Sequence, residues 1–137
     1  LSISSHQWEK ASRETLSILS KTAGNVFLFN DTPNPGFNIP NCASRAAWQE
    51  EDLDSCKFPR KNPKQLAVDE IEIRLANEFT NVMPVNVFDL ICSSALCSPI
   101  AQGPNILKYR DSHHLTVDYS KYLAKDVMEL INSHLIE

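Results

Sequence analysis

The order of apolar and polar positions along the chain divides it into short continuous apolar runs and longer stripes of helical period. Leu1 to Ser5 reads as a short strand. From about His6 to Ala23 the residues Trp8, Ala11, Thr15, Ile18 and Leu19 recur at helical spacing, Lys21 suits the carbonyl end, and Gly24 is placed to take the left-handed conformation that stops a helix. Val26 to Phe29 is an unbroken apolar run between polar turn residues, as expected of a strand buried on both faces. Pro33 to Asn62 is rich in proline and polar residues and reads as one long irregular loop, a length that calls for a staple or a function.

A second helix is signalled at Asn62-Pro63, with Asn as cap and Pro at the first helical position. Val68, Ile71, Leu75 and Phe79 form its apolar stripe, leaving Asp69, Glu70, Glu72 and Arg74 mostly solvated. Val85 to Asp89 reads as a third strand entered through Pro84, and Cys92 to Pro104 as another loop. Thr116 caps the last helix, Asp118 lies in its first turn, and Tyr119, Leu123, Val127, Leu130 and Ile131 supply the buried face. Strand and helix alternate, which predicts an α/β fold with parallel strands.

The 137 residues are the length of one domain, 42% hydrophobic and 22% charged with a net charge of -4. With 13 Lys and Arg against 17 Asp and Glu there is no basic excess, which argues against a nucleic-acid partner. No run reaches the roughly 18 apolar residues of a membrane span. The chain starts at Leu1, without Met, directly in a strand-like run, and so reads as part of something longer.

Cys42, Cys56, Cys92 and Cys97 fall as two local pairs in loop-like sequence. Their gaps do not suit zinc knuckles, whereas disulfides Cys42–Cys56 and Cys92–Cys97 fit a domain outside the reducing cytosol. In the chain-entropy picture, closing the first loop is worth roughly 3 kcal/mol.

The candidate chemistry lies between the Gly/Pro-rich loop and the last helix. Asp111 and His114 are three apart on a short turn, a spacing that sets a carboxylate beside one imidazole nitrogen and leaves the other free for general-base work; His113 would point elsewhere. The helix dipole disfavours protonated His114 and Asp111 favours it, which keeps a neutral base available near neutral pH. A metal site at Asp111, His113 and His114 is disfavoured because adjacent histidines rarely converge on one ion, so neither metal nor cofactor is expected.

Asp111-Ser112-His113-His114-Leu115-Thr116 resembles the last catalytic block, D-x-x-H-L-[ST], of SGNH (GDSL-type) hydrolases. The closer resemblance is to the SGNH domain fused behind the membrane-embedded acyltransferase-3 domain of bacterial proteins that O-acylate surface polysaccharides. It extends to Ile3-Ser4-Ser5-His6-Gln7-Trp8, to Val26-Phe27-Leu28-Phe29-Asn30-Asp31-Thr32-Pro33, and to Pro40-Asn41-Cys42, and so covers nearly the whole chain.

The resemblance implies a three-layer, flavodoxin-like parallel sheet, here its C-terminal half with about three strands, three main helices and disulfide-stapled loops. It also implies a serine acyl-enzyme mechanism with His114 as base and Asp111 as its orienter. The partners would be an acyl donor, a polysaccharide acceptor and a membrane acyltransferase domain in the same polypeptide, on the periplasmic or extracellular side of the inner membrane. The serine block of the family is not in this chain: Gly24, Gly36 and Gly103 do not precede an Asp-Ser pair, and Asn30 reads as a strand-end turn residue. Cutting away earlier strands would leave a sheet edge open to self-association. Secondary candidates for substrate contact are Trp48, as a sugar-stacking platform, and His6, after the first strand. The competing class is a non-catalytic extracellular carbohydrate- or protein-binding domain with a decayed site.

Overall fold

The computed structural model describes residues 4–60 and 62–135. Ser4 opens the first helix, α1 (Ser5–Thr22), as half of a capping box: its hydroxyl accepts from the Gln7 N–H while the Gln7 side chain takes the Ser4 N–H. The strand expected over Leu1 to Ser5 therefore does not reach Ser4 and Ser5, and its first three residues lie outside those described. Gly24 is not the left-handed stop expected of it. Ala23 is already extended, and the Asn81 amide ends the helix by donating to the Ser20, Ala23 and Gly24 carbonyls.

Strand β1 (Val26–Phe29) forms as expected and pairs in parallel with β3 (Val82–Val85), Leu28 facing Pro84. The third strand thus lies three residues earlier than the apolar run suggested. Asn86 ends it, its side-chain oxygen accepting the Phe88 N–H, and the residues expected to extend the strand become a short helix, α4 (Phe88–Ile91). Because Val26 N–H donates to Asn81 and Asn30 N–H to Val85, the odd-numbered residues of β3 face β1, and the Pro84 nitrogen points away from it.

The long loop is largely structured. It holds α2 (Ile39–Trp48), capped by the Asn38 side chain and carrying Pro40 in its first turn, then a 3₁₀ turn (Leu53–Cys56) and a short strand, β2 (Phe58–Pro59). Both disulfides form as paired in the sequence: Cys42–Cys56 joins α2 to the 3₁₀ turn, and Cys92–Cys97 closes the loop after α4. The expected loop from Cys92 onward contains β4 (Leu96–Cys97), antiparallel to β2, and β5 (Ile100–Ala101), antiparallel to β6 (Ile106–Leu107).

Helix α3 (Pro63–Ala76) starts at Asn62 as read, and α5 (Val117–Leu135) follows Thr116. Alternation along the parallel pair sends its side chains to two helical layers. Val26, Leu28 and Val82 meet Leu16 of α1 and Leu75 and Ala76 of α3, while Phe27 and Val85 meet Tyr119 and Leu123 of α5. This is an α/β fold with a small parallel sheet covered on both faces.

The face α1 turns inward differs from its apolar stripe. Leu16 is buried, whereas Trp8, Ile18 and Leu19 are exposed. The cause is polar docking: Glu9 bridges Arg13 (3.0 Å) and Arg74 of α3 (3.1 Å), and Arg13 grips Glu78 with two bonds. Arg74 first, then Arg13, holds the Glu9 carboxyl down to about 2, and Arg13 lowers Glu78. A depressed carboxylate stabilises the fold fully above its unfolded value, here 4.5, and loses that contribution as pH falls through its folded value. The urea midpoint should therefore drop between about pH 5 and pH 2, more steeply than in a Glu9→Gln variant, whose midpoint at neutral pH should already be lower. Identical pH profiles for the two proteins would remove this network as the clamp between α1 and α3.

Candidate functional site

The turn that carries Asp111 and His114 is the tip of a small hairpin. Tyr109 bridges to Leu115, Arg110 N–H donates to the His114 carbonyl (2.9 Å), and Thr116 N–H to the Lys108 carbonyl (2.8 Å). Its stem is anchored from below. Tyr109 is fully buried edge-on against Phe58 and donates its hydroxyl to the Pro33 carbonyl at 2.7 Å; burial raises its phenol well above the usual range, so it stays a donor. Lys108 is buried as well, its ammonium donating a hydrogen bond to the Ile91 carbonyl at 2.6 Å beside the Tyr119 ring, and burial lowers its pKa. Thr116 ties the far side, donating to the Leu107 carbonyl and accepting from Tyr119 N–H as the cap of α5.

At the tip, one carboxylate organises both histidines. Asp111 Oδ1 accepts the backbone N–H of His113 (2.9 Å) and of His114 (2.8 Å), and Oδ2 sits 2.7 Å from His114 Nδ1. The His114 and His113 N–H groups, then the His114 ring, hold the Asp111 carboxyl far below the ordinary carboxylate range. An ionised Asp111 can only accept, so His114 Nδ1 must carry the proton and the lone pair of neutral His114 lies on Nε2. Among the described residues Nε2 has no hydrogen-bond partner, and the His114 side chain is half exposed. This is the orientation a general base requires.

The turn lies beyond the carboxyl end of β1, where open α/β sheets place their sites. Thr32, three residues past that strand, donates to the His113 carbonyl, and Ile39 N–H reaches the Asp111 carbonyl at 3.4 Å.

A family model described as "SGNH domain (fused to AT3 domains)", AT3 being acyltransferase-3, matches residues 3–129. The chain belongs to this family. No curated protein and no solved structure matches it. The match spans the Asp111–His114 turn and all four cysteines, and makes the chain an acyltransferase-associated SGNH domain.

Two expectations about the turn of the SGNH domain change. The His113 ring does not point away; it lies against His114, centroids 4.0 Å apart, with Nδ1 at 2.9 Å from Ser112 Oγ. Asp111, His113 and His114 also bring potential ligand atoms within 4.8 Å of one another, closer than adjacent histidines were expected to come. Asp111 Oδ1 already accepts two hydrogen bonds, and Oδ2 is shared with His114 Nδ1. Trp48 projects from the end of α2, 83% exposed, and His6 is exposed in the first turn of α1.

Asp69 and Glu72, which the helical pattern places on the solvated face, are half-buried instead. Burial, then Asp31, raises the Asp69 carboxyl; burial, then Asp69, raises Glu72. With Gln65 they form a polar row at helical spacing on α3, lining a cleft that also includes Asp31 and Trp8. That spacing was visible in the sequence, but nothing local showed that α1 and the end of β1 would cover it.

Proposed function

We propose that this SGNH domain takes part in O-acyl transfer to, or ester cleavage on, an envelope polysaccharide such as lipopolysaccharide O-antigen. The polypeptide would also carry a membrane acyltransferase domain, and the SGNH domain would lie on its periplasmic or extracellular face. The single observation that carries the reading is the 2.7 Å contact between Asp111 and His114 Nδ1, with Nε2 open to solvent. An intact base and orienter speak against a decayed site. The disulfides agree with an oxidising compartment, and among the described residues no helix is long and apolar enough to cross a membrane.

In the proposed mechanism a serine hydroxyl outside these 137 residues attacks the acyl carbonyl while His114 Nε2 takes its proton. Asp111 stabilises the imidazolium through Nδ1. His114 then returns the proton to the leaving oxygen, and the acyl-enzyme is resolved by a sugar hydroxyl deprotonated at the same nitrogen, or by water. The 137-residue chain tests the placement of the serine. It should cleave a small chromogenic acetate no faster than its His114→Ala variant and sediment as a self-associated species joined at an open sheet edge. The intact polypeptide should react stoichiometrically with a serine-directed fluorophosphonate. Stoichiometric labelling of the 137-residue chain would show instead that one of its own serines is the nucleophile.

A further inference from the structure

A cleft of about 640 Å³, within the roughly 300–1,000 Å³ of small-ligand sites, is linked to the Asp111–His114 turn through Gln65 and Thr32. Trp8 of α1 and Phe29 at the end of β1 line it and remain 38% and 40% exposed, so two large aromatic surfaces face solvent in one concavity. Its polar lining joins the carboxylates of Asp31, Asp69 and Glu72 to Gln65, the amides of Asn30, Asn34 and Asn62, and the ammonium of Lys64; the Asn34 oxygen already accepts the Gly36 N–H, which leaves its amide as a donor. The Gln65 amide nitrogen is used, donating to the Thr32 carbonyl at 2.6 Å, but its amide oxygen is buried and has no partner among the described residues. A buried acceptor left unmatched destabilises the fold unless a donor arrives. Thr32 in turn holds the His113 carbonyl, so the cleft and the Asp111–His114 turn share one tether.

We propose that this cleft binds an uncharged sugar ring of the acceptor glycan. The inference rests on the acyl-transfer reading and specifies its acceptor. A pyranose offers the two surfaces the cleft calls for: an apolar C–H face for Trp8 and Phe29, and a rim of hydroxyl donors for Gln65 and the carboxylates. Charge sets the selectivity. Among the described residues three carboxylates in the lining face the single ammonium of Lys64, so a uronic acid or phosphorylated sugar meets like charge at close range. Asp69 and Glu72 are half-buried beside each other, and sugar hydroxyl donors aimed at them offset the partial loss of hydration. Trp48, the platform suggested by the sequence, is not part of this lining.

The test uses the 137-residue chain with Trp48→Phe, which leaves Trp8 as its one tryptophan. Titration with isomaltotriose, mannotriose and chitotriose should give a saturable change in Trp8 emission with at least one of them. Trigalacturonic acid should bind at least about tenfold more weakly at low salt, and Asp69→Asn with Glu72→Gln should narrow that gap to about twofold. Followed by calorimetry, Trp8→Ala should weaken the neutral sugar about tenfold or more and Trp8→Phe much less, as loss and retention of a stacking face require. Saturable binding to none of the three neutral sugars, equal binding of the acidic one, or binding indifferent to Trp8→Ala overturns the proposal. No step of the assay needs catalysis. A His114→Ala chain that still binds sugar, in a protein whose intact form transfers no acyl group, would sink the acyl-transfer reading and leave the sugar site standing.

Discussion

Replacing His114 by alanine in the intact polypeptide is expected to lower kcat/KM for a chromogenic acetate by about a thousandfold or more, some 4 kcal/mol of transition-state stabilisation. The size follows from what the side chain alone supplies. Asp111 is held ionised by two backbone N–H groups, so it fixes the proton on His114 Nδ1 and leaves Nε2 as the acceptor aimed outward. His113 lies 4.0 Å away, yet its Nδ1 is turned to Ser112 and only approaches Asp111 Oδ1 at 3.8 Å, so His113→Ala should cost far less. Asp111→Asn should keep the turn, because its side-chain oxygen still accepts both N–H groups. It presents an amide donor to Nδ1, favours the wrong tautomer, and should lower the rate with the far-ultraviolet circular dichroism unchanged. Equal losses at positions 113 and 114, or none at 114, would remove the assignment.

Removing the Cys42–Cys56 bridge has the largest expected effect on stability. Its cysteines are 14 apart, and in the chain-entropy account a loop of that size withholds roughly 3 kcal/mol of freedom from the unfolded chain. The Cys42→Ala, Cys56→Ala pair suits the test, since Cys56 is fully buried and alanine introduces no unpaired hydroxyl there. The urea midpoint should fall by an amount equivalent to about 3 kcal/mol, with sugar binding and the Asp111–His114 turn retained in the folded fraction. The Cys92–Cys97 bridge closes a shorter loop, five apart, and by the same logic constrains the unfolded chain less. A double variant as stable as its parent would mean that packing of α2, not the covalent closure, holds residues 33–62 in place.

What the sequence made legible was what short-range chemistry decides: the Asn62-Pro63 start of α3, the Thr116 cap of α5, the β1 run, the pairing of near cysteines and the Asp111–His114 turn. The misses share a different cause. α2 carries the same kind of signal as α3, Asn38 ahead of Pro40, but its inner face is Ile39, Cys42, Ala43 and Ala46, mostly too small to stand out as an apolar stripe. The apolar run from Val85 looked like a strand because the Asn86 side chain that turns it into α4 acts through a hydrogen bond, not through hydropathy. The inward face of α1 was decided by Arg74 of α3 and by Glu78 in the turn after it, both 65 positions from their partners. The candidate site followed the same division. The dyad was local and readable; the cleft needed α1, α3 and the end of β1 to be brought together.

Pro84 gives the small sheet a direction of growth. Its nitrogen points out from the free side of β3, midway along a four-residue strand, where an added strand would look for a hydrogen to accept. That flank is chemically blunted against templating, whereas β1, unpaired on its other flank among the described residues, keeps an N–H on every residue there. Any strand that joins the β1–β3 pair, whether from the same polypeptide or from a second copy, is therefore steered to the β1 side.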